Sequence, residues 1–319
     1  MGKYVLKRVL LMLLTFFIIT TMEFVLIRML PRELPQDKVQ AAAIASRWEA
    51  LGYNQPLLVQ YGIYLRNIVT SWDFGTSWYI EFREPAWNVL TKRLLPTILV
   101  NLYSLVFSIP LGIGLGIYAA IRKNKWQDQV ISVMVMLFVS IPSYVYAFLV
   151  QYFFYFKWGL LPLQVYSLAD AGNSWVSSKM FVSMIAPVLA LSFGEIAGLC
   201  RFTRAELTET LTSDYMLLAR TKGLTKAQAT VRHALKNAMV PILPMLISSF
   251  IGILGGSFII EQIFSIPGVG QLYLRSINLF DYDVFMMDGV FYTFINLLAG
   301  IMVDISYGFI DPRIRMGER

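Results

Sequence analysis

Long apolar runs separated by short polar segments make up most of this chain of 319 residues. A helix needs about 20 apolar residues to cross a bilayer core of about 30 Å. Six stretches meet that requirement, near Val9–Leu30, Thr97–Ile121, Val130–Phe156, Met180–Cys200, Ala238–Ile260 and Gly289–Ile310. The pattern therefore predicts an all-α integral membrane protein with six transmembrane helices.

The first apolar run begins after Lys3, Lys7 and Arg8, an arrangement that signal peptides share. The apolar region of a signal peptide is about 7–15 residues long, whereas this run is longer and no clear cleavage site directly follows it. We therefore predict a retained first helix. The chain then divides into an N-terminal end with that helix, an extracytoplasmic loop, a five-helix core and a cytoplasmic tail, at residues 1–30, 31–96, 97–311 and 312–319.

The segments that would be cytoplasmic with the N-terminus inside are richer in Lys and Arg than the short outer loops. They carry 3, 3, 7 and 3 such residues, at 1–8, 122–129, 201–237 and 311–319. The outer loops 157–179 and 261–288 carry 2 and 1. Cytoplasmic loops are enriched in Lys and Arg, so we predict that both termini are cytoplasmic.

The outer loop 31–96 carries helix signals of its own. Asp37–Leu51 is rich in alanine, a strong helix former, and Gly52 supplies a stop. After Pro56, apolar residues recur at helical spacing and define one face, with members Leu57, Tyr61, Leu65 and Ile68. This partly helical loop is either a structural cover on the core or a docking surface for an external protein, and the sequence favours neither.

Composition excludes several classes of function. Hydrophobic residues make up 57% of the chain, charged residues 15%, and the mean hydropathy is +0.60, which fits an integral membrane protein. The net charge of +7 follows the orientation of the loops and does not indicate nucleic-acid binding. A single Cys and a single His argue against a zinc site, and the chain has no phosphate-binding loop motif. We therefore predict no metal, cofactor or catalytic site in this chain.

One polar segment, 201–237, has too ordered a pattern for a plain connector. Its first part extends the fourth span as a polar helix. Ser213 or Asp214 can cap a short helix through a side-chain oxygen, and Gly223 suits the C-terminal end of that helix. Thr225 can cap a further helix that leads into the fifth span. A short helix held in this way is suited to contact with a cytosolic protein, and a solvated basic loop is the alternative.

Motifs along the whole chain resemble those of ABC-importer permeases, in the B-type subunit of the dipeptide and oligopeptide branch. Ala219-Arg-Thr-Lys-Gly-Leu224, followed by Arg232-His-Ala-Leu-Lys-Asn237 and Pro241, resembles their EAA loop, although Leu218-Ala219-Arg220 stands in place of Glu-Ala-Ala. Similar motifs lie in both large outer loops and in the tail: Leu51-Gly-Tyr-Asn-Gln-Pro-Leu57, Asp73-Phe-Gly-Thr-Ser77, Arg93-Leu-Leu-Pro-Thr97, Phe264-Ser-Ile-Pro-Gly-Val-Gly270 and Asp311-Pro-Arg-Ile-Arg315.

The resemblance implies the type I ABC-importer permease fold and a subunit without catalysis of its own. Such a chain forms a pathway with a second homologous permease in the bacterial plasma (inner) membrane and receives peptide from an extracytoplasmic binding protein. Two cytoplasmic ABC ATPase subunits bind ATP and Mg, and each grips one short coupling helix. In this chain the matching helix is about Ser213–Gly223, and the implied ATPase-coupling residues are Ser213, Asp214, Tyr215, Ala219, Arg220, Lys222 and Gly223.

Other functions remain open at this point. The same architecture in related systems carries nickel or other small solutes. A stand-alone secondary transporter more often shows inverted halves with paired buried charges, and neither is visible here. An intramembrane hydrolase needs a Ser–His or paired-Asp site at membrane depth, whereas the sole histidine, His233, lies at the inner surface. The sequence does not identify the substrate or the residues that line the pathway.

Overall fold

The computed structural model describes the backbone of residues 2–31, 34 and 37–310, and the side chains of 4–31, 34 and 37–306. The helices of the first half are α1 Gly2–Arg28, α2 Lys38–Ala50, α3 Leu57–Ser71, α4 Ala86–Ile121, α5 Trp126–Ser140 and α6 Ser143–Val150. Those of the second half are α7 Ser178–Leu211, α8 Asp214–Thr221, α9 Lys226–Ala229, α10 Leu235–Ala238, α11 Ile242–Gly252, α12 Phe258–Ile263, α13 Val269–Asn278 and α14 Tyr282–Ile310. The described residues form no β-strand. The motif at residues 311–315 and the predicted tail 312–319 lie outside the described residues.

Among the described residues, five helical segments are long and apolar enough to cross a membrane: Tyr4–Arg28, Ala86–Ile121, Ser178–Leu211, Ile242–Ile263 and Tyr282–Ser306. A bent pair, α5 with α6 and its π-helical continuation to Lys157, passes the same test when its two parts are taken together. The helices run beyond the apolar stretches, and α4 begins at Ala86 rather than near Thr97. The six predicted spans are confirmed when the bent pair counts as one crossing.

The third predicted span is not one continuous helix, because the chain bends by 101° between α5 and α6. A residue before proline avoids the helical region, and Ile141, which precedes Pro142, has an extended backbone. Proline also lacks the N–H that would continue the helix. The Ile141-Pro142 sequence therefore accounts for the break between α5 and α6.

Contacts with α7 place the two ends of the bent pair near opposite membrane faces. Asp128, at the start of α5, pairs with Arg204 toward the C-terminal end of α7. After α6, the backbone N–H of Tyr166 donates to the hydroxyl of Ser183 near the N-terminal end of α7. At about 1.5 Å of rise per residue, Ser183 and Arg204 lie about 30 Å apart. The bent pair therefore advances along α7 by about the thickness of a bilayer core.

Small residues let α4 and α7 pack closely along their length. A Cβ atom on Gly116 would lie 2.6 Å from Thr203 Cβ and 2.8 Å from the Cys200 carbonyl oxygen. One on Gly112 would lie 2.8 Å from Leu199 Cβ. Close approach of backbones is the usual reason for glycine in membrane helices, so these two positions tie the second span to the fourth.

The outer loop is helical where the sequence predicts it. Asp37 caps α2 through its side chain, which accepts a hydrogen bond from the Val39 backbone N–H, and α3 begins directly after Pro56. The apolar face of α3 packs on the first and last spans, where Tyr64 meets Phe24 and Met286. This part of the outer loop is thus packed onto the first and last spans.

Asp281, at the start of the last span, fixes a second part of the outer loop. Its buried carboxylate accepts hydrogen bonds from the Ser77 hydroxyl at 2.6 Å and from the backbone N–H groups of residues 78, 79 and 80 at 3.0 to 3.3 Å. Successive N–H groups of this kind form a nest for an anion. The first outer loop is thereby joined to the last, across more than 200 residues of chain.

Candidate functional site

The polar segment 201–237 forms a compact helical unit at the end of α7. The fourth span continues as a polar helix to Leu211, as predicted. A turn at Thr212 and Ser213 then leads into α8, which covers Asp214–Thr221. Ser213 occupies the position before the helix, but its hydroxyl donates to the carbonyl of Thr210 at 2.6 Å and makes no capping bond. The predicted side-chain cap is therefore wrong, because the serine is used to close the preceding turn.

The C-terminal end of α8 is confirmed at Gly223. Its φ of +91° lies in the left-handed region that favours glycine. The Gly223 N–H donates to the Arg220 carbonyl, and the Leu224 N–H donates to the Ala219 carbonyl. This pair of hydrogen bonds defines a Schellman motif, which satisfies carbonyl groups that the end of a helix leaves free.

The chain re-enters the membrane through a second capped helix. The Thr225 hydroxyl accepts from the Gln228 N–H, and the Gln228 side chain accepts from the Thr225 N–H, which together form a capping box. The helix then passes through a π-helical turn, Thr230–Ala234, and α10 to reach the fifth span. His233 is exposed on this turn. The predicted cap at Thr225 is confirmed.

One face of α8 is buried against the rest of the chain. Met216 and Ala219 pack into a cluster whose other buried members are mostly alanines, namely Ala120, Leu207, Ala229, Ala234 and Ala238. Small side chains allow α8 to lie close to the neighbouring helices. Ala219 therefore positions α8 from within, and its methyl group is not part of the outward surface.

The opposite face of α8 presents both apolar and basic side chains. Leu217 and Leu218 are 63% and 55% exposed, and Tyr215 is also exposed. Arg220 and Lys222 are exposed on the same short element. An exposed apolar patch beside charged groups is typical of a surface that another protein covers. Of the seven predicted coupling residues, the structure thus puts Tyr215, Arg220 and Lys222 on the outward surface and Ala219 on the inward one.

A cleft of about 610 Å³ lies beside α8, between this helix and the ends of α4 and α7. Four cationic side chains line it, from Lys123, Lys125, Arg220 and Lys226, together with Asp214. The cleft therefore combines a positive lining with an apolar floor that includes Met216. It is suited to accept an acidic segment of a partner.

An ion pair that the sequence reasoning missed ties this unit to the loop before the third span. Arg204 Nε and a terminal guanidinium nitrogen bind the two carboxylate oxygens of Asp128 at 2.5 and 2.8 Å. Asp128 is only 2% exposed and also accepts the Asn124 backbone N–H at 2.9 Å. The available signal was an acidic residue in the first turn of a helix within an otherwise basic loop.

Within residues 2–31, 34 and 37–310, no three His, Cys, Asp or Glu side chains lie together in a way that could hold a metal ion. Glu195 accepts a hydrogen bond from the Ser249 hydroxyl at 2.8 Å, and Arg8 pairs with Asp304 at 2.9 Å. The unit around α8, with its exposed apolar and basic side chains, is suited to bind a protein.

Comparison with known proteins gives matches along the whole chain. The family model described as "Binding-protein-dependent transport system inner membrane component" matches residues 112–316, and a model for the N-terminal part of such components matches residues 1–99. The dipeptide transport system permease protein DppB of Bacillus subtilis (strain 168) is 34% identical over 322 residues, covering 100% of both chains. The glutathione transport system permease protein GsiC of Escherichia coli (strain K12) is 32% identical over 319 residues, covering 99% of both.

Proposed function

This chain belongs to the family of binding-protein-dependent transport system inner membrane components, and from that premise we propose that it takes up peptides delivered by an external binding protein. It is a multi-pass permease of the bacterial inner membrane with the type I ABC-importer permease fold, and it is not itself catalytic. The full-length similarity to dipeptide and glutathione permeases supports peptides over nickel or other solutes. A second, homologous permease would complete the pathway.

ATP hydrolysis by separate cytoplasmic subunits would drive this transport through α8. The observation that carries the proposal is the two-sided character of this helix, with Met216 and Ala219 buried in the chain and Leu217 and Leu218 exposed. A helix fixed on one face and apolar on the other transmits movement of whatever protein covers it. Arg220 and Lys222 would add polar contacts to the ATPase groove, and both chain termini would be cytoplasmic.

Leu217→Asp tests the docking surface. The substitution places a charge on an exposed apolar position, so α8 should still fold while its partner is lost. Val69→Asp is the matched control, because Val69 is 84% exposed on the outer loop, where no cytosolic protein reaches. ATPase subunits encoded beside the gene should co-purify with the control variant and not with Leu217→Asp. Equal co-purification of both variants would contradict the role of α8.

Gly223→Pro and Ala219→Glu test transmission rather than docking. Proline at position 223 fixes φ near −65° and removes the N–H that donates to the Arg220 carbonyl. Glutamate at position 219 cannot enter the buried, alanine-rich cluster without displacing α8. Both variants should insert into the membrane and hydrolyse ATP without moving peptide. The measurement is ATP turnover and uptake of a labelled dipeptide in vesicles that contain the assembled importer and its binding protein. Full uptake in either correctly assembled variant would contradict coupling through α8.

Peptide uptake itself is tested with the unmodified assembly in the same vesicles. Uptake should require ATP and the binding protein, and unlabelled dipeptide should compete with the labelled one. An absence of peptide uptake, together with uptake of nickel or another solute, would overturn the substrate assignment. Uptake by the purified chain alone along an ion gradient would overturn the importer assignment.

A further inference from the structure

A second cavity, remote from α8, lies between the first, fifth and last spans and has a volume of about 780 Å³. Its lining is mostly apolar, but it includes the carboxylate of Glu23 and the polar side chains of Tyr292, Thr293 and Asn296. A mostly apolar cavity with a few convergent polar groups is the usual form of a small-molecule site.

Glu23 places an ionisable carboxyl group in the wall of this cavity. Its Oε2 atom is buried and makes no hydrogen bond. The nearest cation along the same helix, Arg28, is directed at the ring of Tyr53, whose centroid lies 3.7 Å from the guanidinium carbon. An ionisable side chain at membrane depth generally marks a functional site, because an unpaired buried charge is costly.

The last span is shaped to admit this carboxylate. A Cβ atom on Gly289 would lie only 1.5 Å from Glu23 Oε1, so no other residue fits there without moving Glu23. The preceding residue, Asp288, is fully buried, and neither of its carboxylate oxygens has a hydrogen-bond partner.

The fifth span is broken where it borders the cavity. α11 ends at Gly252, a short 3-10 turn covers Ile253–Gly255, and Gly256 has a φ of +62°. Gly252, Gly255 and Gly256 all line the cavity. The C-terminal end of a helix carries a partial negative charge from its free carbonyl groups and stabilises cations. Discontinuous spans of this kind mark substrate sites in transporters.

We propose that this cavity binds the cationic amino terminus of the transported peptide, with Glu23 as the paired carboxylate. An ammonium group offers three N–H donors, and the lining supplies acceptors in the Glu23 carboxylate, the Tyr292 phenol oxygen and the Asn296 amide oxygen. The Asn296 nitrogen is already engaged, since it donates to the Tyr292 carbonyl at 2.9 Å, which leaves the amide oxygen free to accept. The inference rests on the proposed function, because it presumes that a peptide enters this permease.

Photo-crosslinking to the assembled permease, with the binding protein omitted, tests this site. Omission matters because a binding protein that itself selects the amino terminus would reject modified peptides before they reach the membrane. The probe is the tripeptide Ala-photoleucine-Ala, used with a free amino terminus and, in parallel, N-acetylated. The free form should label the complex at least about tenfold more efficiently, the factor that corresponds to 1.4 kcal/mol. The label should map to residues 19–27, 252–258 or 285–296.

Glu23→Gln should abolish the difference between the two probes, because glutamine keeps the shape of the side chain and removes its charge. Glu195→Gln is the matched control, since Glu195 also lies in a span but does not line this cavity. Equal labelling by both probes in the unmodified complex, or labelling outside the three segments, would overturn the proposal even if Glu23→Gln failed to assemble. If the labelling contradicts the site but the complex still takes up peptide with ATP, the proposed function stands. If the complex takes up no peptide, both the site and the proposed function are overturned.

Discussion

At the scale of single residues, the buried carboxylate of Asp128 depends on one cation. Arg204 supplies two hydrogen bonds to it, and the Asn124 N–H supplies a third. Removing one partner of a buried ion pair leaves an uncompensated charge, which costs about 3–5 kcal/mol. Arg204→Met should therefore lower the free energy of unfolding by about 3 kcal/mol, at the lower end because the Arg204 side chain is one-third exposed.

The double variant provides the control for that prediction. In Asp128→Leu with Arg204→Met no charge remains buried, so a large part of the lost stability should return. The measurement is the thermal midpoint of the purified permease by tryptophan fluorescence. If the single and double variants melt at the same temperature, the ion pair does not carry the stability assigned to it.

Glu81, in the outer loop, makes that loop sensitive to acid. Partial burial acts to raise the pKa of Glu81, but hydrogen bonds from Lys92 and Arg93 outweigh it and hold the pKa below its ordinary value. A lowered pKa in the folded state means that stability is present above the unfolded value of 4.5 and is lost as the pH falls through the lower folded value. The protection factors of the amides across residues 77–85, in which the pH dependence of intrinsic exchange is divided out, should therefore fall below about pH 4.5. In Glu81→Gln this fall should disappear, and an unchanged pH profile of the protection factors in that variant would contradict the assignment.

At the scale of elements, the contact between α4 and α7 depends on which glycine of α4 is changed. Gly116→Ala forces a methyl group to within 2.6 Å of Thr203 Cβ and 2.8 Å of a backbone oxygen. Overpacking of this kind costs about 1–3 kcal/mol. Gly114→Ala meets nothing within 4 Å and should be neutral or slightly stabilising, since alanine favours helix by up to about 1 kcal/mol. The thermal midpoint of Gly116→Ala should therefore lie below that of Gly114→Ala. Equal midpoints would contradict the close packing of α4 on α7.

The sequence predicts elements well where the signal is local. Gly223 ends α8 and Thr225 caps the next helix, because capping depends on residues within a few positions of each other. The same local reasoning fails at Ser213. Its hydroxyl can bond either to an N–H group at the start of α8 or to a carbonyl of the preceding turn, and it donates to the Thr210 carbonyl. The position of α8 along the chain is likewise visible from the motif. The face on which Ala219 lies is not, since burial depends on helices that are distant in sequence.

At the scale of the whole molecule, the bent third span makes a prediction about sidedness. If α5 and α6 cross the membrane once, the loop before them and the loop after them lie on opposite sides. Single cysteines at Lys123 and Ser174, in a Cys200→Ala background, should then react with an impermeant thiol reagent from opposite faces. Position 123 should react from the cytoplasm and position 174 from outside. Labelling of both from one face would make the pair a re-entrant loop.

Long-range features of the molecule lay beyond sequence reasoning. Six spans follow from apolar length alone, and the Ile141-Pro142 sequence accounts for a break in the third. The 101° angle of that break depends instead on how α5 and α6 lie against α7. The cavity around Glu23 is assembled from the first, fifth and last spans, so no local pattern identifies it. Glu23 itself was visible as a charge at membrane depth, and only its neighbours turned it into a candidate site.

The link between Asp281 and residues 77–80 also sets the order in which the molecule can be completed. The ribosome adds about 5–20 residues per second. Asp281 is therefore synthesised on the order of 10–40 s after residues 77–80, whose N–H groups it binds. With the predicted cytoplasmic N-terminus, the loop would by then have been translocated with no anion to order it. The nascent permease is consequently most vulnerable to outer-face proteases before its last span is inserted, and a truncation that removes Asp281 should be degraded faster than one that ends after it.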